Sequence, residues 1–290
     1  MKERINMLIL KPEVHHTIWG GDALKEMYPK EEKIGHLYSC VPCGEFDSKI
    51  IFPLEMEGKT LSSFLEENPC YKDFFTYVVA IVTPKLDLSI QVHPSHGEKN
   101  AKNESWIFLS PPSQGFIYGG CNVSNKEKIS KSIAEGTIME LVKKIPINQG
   151  DYVFVEGGTL HALTAGSIVY EIEELGGTTC RIYDYCRIDS NGVPRPLQVE
   201  EGIRYLDTEK IVHVEKVADN EFKKEKKYIS QYYSTGGTYY NSSASPICLT
   251  VLGEVSIEGI NLKYGTSLIL FANEHIDTQD CAFVVVQATS

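Results

Sequence analysis

Basic charge is what this sequence is short of. Its 290 residues carry 28 lysines and arginines against 39 aspartates and glutamates, a formal net charge of −11. A nucleic-acid binder needs a basic face to displace counterions, so that class is excluded. Long apolar runs are missing as well. None reaches the roughly 18 residues of a membrane helix, so no span is expected. The start, MKERINMLILKPEV, has an apolar stretch too short for a signal peptide, and no small-residue cleavage site follows. The expected compartment is the cytoplasm, and the eight cysteines then read as reduced thiols. Cys40 and Cys43 form a lone C-x-x-C. The second pair of a zinc ribbon is lacking, and so is the βαβ context of a thioredoxin-like site. Hydrophobic residues, at 42%, are plentiful enough for a core, which excludes a disordered chain.

Short β-branched runs fill the chain instead. Residues 77–83, 88–92, 152–155 and 167–172 are bounded by Gly, Pro, Asn or Asp. That punctuation predicts a mainly β sandwich or barrel. Helices are expected to be few. One is opened by Lys59-Thr60 and runs through Glu67. A second follows the capping box Ser124-Asn-Lys-Glu127 and extends to about Lys144, with a break near Gly136. A third covers Leu197 to Leu206. The charged stretch 209–227 has no helical stripe and reads as a linker or edge hairpin. The domain boundary is placed there, giving residues 1–215 and 216–290.

The outline of GDYVFVEGGTLH at 150–161 returns in GTSLILFANEHI at 265–276: a glycine turn, a strand, a second turn. The place of His161 in the first copy is held by Ile276 in the second. His275 misses it by one residue, and a one-residue step turns a strand side chain to the opposite face. The second copy is therefore expected to be a β unit without a metal.

The sharpest chemical signal is LSIQVHP at 88–94. Gln91 and His93 are two apart on an expected strand, so both point to one face. Glu104 follows eleven residues after His93, where KNESWIF reads as the start of a neighbouring strand. His161 sits on the turn after the 152–155 strand. Two neutral imidazoles, a carboxylate and an amide oxygen suit a borderline divalent ion such as Zn²⁺, with a position open for water or substrate. His96 is a competing ligand, although Pro94 is expected to end the strand before it. On spacing alone two readings stay open. One is a metal site; the other is a hydrogen-bonded core histidine beside a sheet-face glutamine and a solvated glutamate. Arg181 and Arg187 would share a face of an extended strand, whether in a site or on a solvated surface.

The wider pattern adds to this. Residues 150–161 resemble the second cupin motif, with Glu156 where proline is usual. Five blocks resemble the type I mannose-6-phosphate isomerases in their short bacterial form. They are TIWGG at 17–21, DLSIQVHP at 87–94, KNESW at 102–106, GTLHA at 158–162, and Glu171 with TTCRIYDYCR at 178–187. They come in the family's order and cover roughly residues 8–205.

The resemblance implies a mainly β fold of cupin jelly-roll barrels with a few short helices. Residues 1–215 would form a metal-binding catalytic barrel with a helical insertion, and 216–290 a degenerate, metal-free one. It implies one Zn²⁺ per chain, held by Gln91, His93, Glu104 and His161. It places Arg181, Lys102 and Glu171 in catalysis, and Trp19 and Arg187 in substrate binding. The implied reaction interconverts mannose 6-phosphate and fructose 6-phosphate through a cis-enediol, so the partner is a small hexose phosphate. The chemistry suits these residue types: a cation stabilises developing oxygen charge, and an arginine fork matches a phosphate. Glu171, Lys102 and metal-bound water all stand as proton carriers.

Three positions depart from the family. Its early G-E-x-W block is here GHLY at 35–38, with His36 in place of the acid. The apolar run before the Gln91 strand reads YVVAIVTPK. Glu156 replaces proline. Two alternatives therefore stay beside the isomerase: a non-catalytic sugar-phosphate-binding or regulatory cupin, and an iron oxygenase, since two histidines and a carboxylate also make a facial triad. The sequence carries no signal of oligomeric state.

Overall fold

The structure, a computed structural model, describes residues 5–189 and 191–289, and it is mainly β as the strand punctuation requires. The chain forms two compact units. One comprises His16–His36 and Val82–Lys216. The other comprises Met1–His15, Leu37–Ile81 and Val217–Ser290. The chain passes between units at Lys216/Val217, within the charged stretch, but the division is not the single cut expected from the sequence. Long-range pairing is the reason. The Met7–Lys11 strand pairs with Ser267–Leu270 (Met7↔Leu270) and with Lys49–Phe52, so early segments enter the C-terminal unit's sheet.

The unit of Val82–Lys216 carries the motifs. One antiparallel sheet runs in the order Cys180–Tyr183, Ile90–Val92, His161–Ala162, Phe116–Cys121, Val142–Pro146. A second ladder runs His213–Lys216, Asp151–Val155, Glu104–Ser110, Ile168–Glu174. Alternation decides what each face meets. Ile90 and Val92 point outward into an apolar layer with Tyr118, Ala162 and Ile182, covered by Ile129 and Leu206. Ile129 belongs to the Lys126–Ala134 helix, and Leu206 caps the Val199–Tyr205 helix. Gln91, between Ile90 and Val92, therefore faces inward. On the second ladder Trp106, Phe108, Val153, Val155 and Val169 face inward too, and they meet Ile117 and Leu163 of the first sheet. Each such side chain contributes about 1.5–3 kcal/mol on burial. Along the inner face from Phe108 through Trp106 to Glu104, the lining turns from apolar to charged.

The helices depart from expectation in detail. Leu61–Glu67 forms as read, with the Thr60 hydroxyl accepting from Ser63 N–H at 3.2 Å. The second helix is capped by Asn125, whose side chain accepts from Lys128 N–H at 2.8 Å, and not by Ser124. It ends before Gly136, which has φ +71°. Beyond a short turn at Ile138–Glu140, residues 142–146 form a strand, where the helix was expected to run on to Lys144. Ile145 and Lys144 alternate there as partners of Ile117 and Tyr118. The stretch 209–227 yields two edge strands in different sheets, His213–Lys216 and Phe222–Lys224.

In the other unit, strands Tyr228–Tyr233, Phe283–Ala288, Ile247–Val251, Ser267–Leu270 and Met7–Lys11 lie side by side in one sheet. Its core gathers Ile9, Leu249, Leu268, Leu270, Phe283 and Val285. Ile276 is buried in that core while His275 is exposed. Both copies of the sequence outline open on a left-handed glycine, Gly150 at φ +76° and Gly265 at φ +84°. All eight cysteines are free thiols, Cys40 buried and Cys43 exposed. Among the described residues no helix is long and apolar enough to cross a membrane.

Candidate metal centre

Strand register brings the motif residues together. Gln91 stands opposite His161 on one side and opposite Arg181 on the other. His93 continues the inward row just past the end of the Ile90–Val92 strand. From the facing ladder comes Glu104, whose register partners are Val155 and Glu173.

The turn before His161 needs its two glycines. A Cβ on Gly157 would lie 2.3 Å from the Pro94 carbonyl oxygen. Gly158 has φ +92°, and its N–H donates to the His93 carbonyl at 2.7 Å. Asn103 fastens the same turn, its Oδ1 accepting from Gly157 N–H at 2.8 Å and its Nδ2 donating to Glu174 Oε1 at 3.2 Å. His96 is drawn to that pair, with Nε2 2.7 Å from Asn103 Nδ2 and 3.4 Å from Glu174 Oε1. It stands apart from His93 and His161.

Those two rings are fully buried, with centroids 4.7 Å apart. Each Nδ1 is committed to a carbonyl: His93 to Thr178 at 2.9 Å, His161 to Thr159 at 2.8 Å. A carbonyl only accepts, so both Nδ1 atoms carry a proton, and in the neutral ring that leaves Nε2 as a bare lone pair. Against them stands Glu104, with Oε2 3.3 Å from His93 Nε2 and Oε1 3.1 Å from His161 Nε2. The Gln91 terminal amide lies 3.3 Å from His161 Nε2. His93 Nε2 and Glu104 Oε1 are buried without hydrogen-bond partners. Acceptors facing acceptors in a dry interior call for a cation among them. One ligand atom from each of His93, Glu104 and His161 falls within 4.8 Å of the other two, a set that fits a divalent ion.

The comparisons bear on the same region. No family model matches the chain. A mannose-6-phosphate isomerase of Streptococcus mutans is 29% identical over 213 residues, covering 69% of this chain and 67% of its own. The crystal structure of mannose 6-phosphate isomerase from Bacillus subtilis superposes with a TM-score of 0.82 at 25% identity, over 97% of this chain and 99% of that one. The chain belongs to the type I mannose-6-phosphate isomerases. A zinc-bound mannose 6-phosphate isomerase shares the fold, with a TM-score of 0.70 at 15% identity over 99% of this chain and 100% of that one. The architecture is accordingly the mainly β, cupin-type fold of these isomerases.

Of the other positions that the isomerase resemblance singles out, Lys102 and Glu171 adjoin this cluster, Arg181 stands opposite Gln91 in register, and Arg187 and Trp19 have other partners. Lys102 is buried, its ammonium in contact with Glu173 and 3.2 Å from Glu104 Oε2. Burial would lower it, but Glu173, Glu104 and Glu171 together hold it well above its ordinary range. Glu171 accepts from Trp106 Nε1–H at 2.9 Å. Burial, then Glu173 and Glu104, raises its carboxyl well above the usual range against the pull of Lys102. Burial, with Lys102, pushes the His93 imidazole down to about 4. Arg181 is half-buried, donating from Nε to Ser89 Oγ and from Nη1 to the Pro196 carbonyl, both at 3.2 Å. Arg187 lies over the Tyr185 ring at 4.5 Å, with Nη1 3.6 Å from Asp184 Oδ1. Trp19 is buried in the apolar interior with Trp106, its ring edge-on to His36 at 5.0 Å. The unusual Glu156 is exposed and paired with Lys210 at 2.7 Å.

Three residues in this region escaped the sequence reading. Glu173 pairs with Lys102, and Arg195 grips Asp184 through Nε at 2.7 Å and Nη2 at 2.5 Å. Glu173 had a usable signal, since it alternates with Glu171 on one strand and so shares its face. Asp184 lies inside the 178–187 block without a role of its own there, and its pairing with Arg195 had no signal, because the two meet only through the loop between them.

Proposed function

We propose that the chain is a zinc-dependent aldose–ketose isomerase that interconverts mannose 6-phosphate and fructose 6-phosphate through a cis-enediol. The observation that carries this is the convergence of two imidazole Nε2 atoms and the orphaned Glu104 Oε1 in a buried pocket. The names of the relatives supply the substrate, and the ligand types supply the metal.

Gln91, His93, Glu104 and His161 would hold one zinc ion. When bound, zinc supplies Lewis-acid polarisation of the sugar's carbonyl and hydroxyl oxygens. Arg181 shares the inward row with Gln91 and would place cationic charge beside the developing enediolate. Glu171 and Lys102, buried beside Glu104, are this chain's titratable groups for moving the proton between C1 and C2. Arg187, held over Tyr185 near Asp184, offers a planar fork for the C6 phosphate. Trp19 would build the wall of the substrate site behind these groups. The unit of Val82–Lys216 is then the catalytic metal-binding barrel, and the unit built on Ile276 is its degenerate counterpart. Free thiols throughout suit work in the cytoplasm.

The test is a coupled hexose-phosphate assay with metal analysis. Purified protein should carry about one zinc per chain, lose turnover on chelation and regain it with Zn²⁺. His161→Ala and Glu104→Ala should bind no zinc and turn over at least ~10²-fold more slowly. Undiminished turnover in the metal-stripped chain would overturn the proposal, and hexose-phosphate binding without isomerisation would leave a binding protein instead.

A further inference from the structure

Glu173 is not among the expected ligands, yet its carboxylate sits inside the site. It is the register partner of Glu104, so the two side chains leave the ladder next to each other on the inner face. The Lys102 ammonium is shared between them, in contact with Glu173 Oε2 and 3.2 Å from Glu104 Oε2. Lys102 has no room to swing out. It is only 7% exposed, and the Gly177 backbone closes over its stem, where a Cβ would lie 2.2 Å from Lys102 Cβ. The remaining Glu104 oxygen, Oε1, is the one left without a hydrogen bond beside His161.

A buried ammonium with one carboxylate within reach closes on it fully, because an unpaired charge in a dry interior is costly. Without Glu173, the carboxylate in direct contact would be Glu104, at 3.2 Å, since Glu171 acts on the ammonium from farther off and is held by Trp106 Nε1–H. The donor set would then lose its only negative charge to a fixed cation, and the same cation would repel an incoming metal. We propose that Glu173 is a positioning residue of the metal centre: it takes up the Lys102 ammonium and so leaves the Glu104 carboxylate free to be directed at the ion. This rests on the metal-site reading above and extends it to a residue outside the four expected ligands.

The experiment compares four full-length proteins stripped of metal: wild type, Glu173→Gln, Lys102→Met and the double variant. Zn²⁺ affinity is read by competition with a chromophoric chelator, and thermal melting of each metal-free chain reports folding. Glu173→Gln keeps the size of the side chain and removes its charge. It should weaken Zn²⁺ binding about 10–100-fold, the usual range for partners of metal ligands. The double variant should bind within about threefold of Lys102→Met, since no ammonium remains to seize Glu104. Unchanged affinity in Glu173→Gln overturns the inference, as does a double variant as weak as Glu173→Gln. Should Glu173→Gln fail to fold, the comparison of Lys102→Met with the double variant decides, and a further tenfold loss there overturns the inference. A wild-type chain that takes up no Zn²⁺ overturns the metal reading itself, whereas wild-type binding matched by Glu173→Gln sinks only the role of Glu173.

Discussion

A proton on the wrong ring nitrogen would close this site. The carbonyls of Thr178 and Thr159 prevent it by claiming the Nδ1 protons of His93 and His161. The same dry setting makes His93 hard to charge, with burial and Lys102 bringing it down to about 4. This has a consequence for the metal-free protein. The unfolded imidazole binds a proton below about 6.5, and the folded one does so only near 4. Between those values the unfolded state holds more protons, so stability falls as pH drops through the interval. The full effect is ~3 kcal/mol at about 1.4 kcal/mol per pH unit. Urea denaturation of the stripped chain at pH 7 and pH 4.5 should show the loss, and His93→Gln should remove most of it. Equal pH dependence in both proteins would contradict the assignment. At this scale the sequence was informative wherever spacing along one strand fixed a shared face, as for Gln91 and His93. It was silent on Thr178 and Thr159, whose backbone oxygens act and whose side chains carry no signal.

Elements were readable by type more than by boundary. The capping box at Ser124 has the right residues at the right spacing, yet Asn125 caps the helix, because its extended backbone (φ −107°, ψ 107°) aims Oδ1 at Lys128 N–H. Two adjacent polar residues compete for one cap, and local sequence does not rank them. Asn125→Ala should cost ~1 kcal/mol, and Ser124→Ala no more than a few tenths, as measured from urea midpoints. The reverse order would restore the box at Ser124. The overlong helix has a different origin. Val142 and Ile145 are three apart, a helical spacing, and only pairing with the Phe116–Cys121 strand selects the extended form, which sends Val142 to the layer of Tyr118 and Ile145 to that of Ile117. The 157–158 glycines, by contrast, were legible as a turn, while the Pro94 carbonyl that makes Gly157 necessary comes from a distant segment.

At the scale of the molecule, net charge and strand content pointed to the class, but the division into units was hidden. Nothing in Met7–Lys11 announces that its partner is Ser267–Leu270, because a continuous apolar run pairs with any suitable edge. What the sequence did carry over this distance is phase. The eleven-residue step that ends on His161 in one copy ends on Ile276 in the other, and the structure seats Ile276 in the apolar core with His275 turned to solvent. A second copy that holds no metal would make different demands on these neighbours. Ile276→Ala should lose ~2–4 kcal/mol through the cavity it leaves. His275→Ala, at an exposed site, should stay within about 0.5 kcal/mol of wild type. Calorimetry reads both, and zinc analysis of the same samples should give the wild-type content for each. If His275→Ala lowers the zinc content, that histidine serves a metal after all, and the second copy has been misread by one residue.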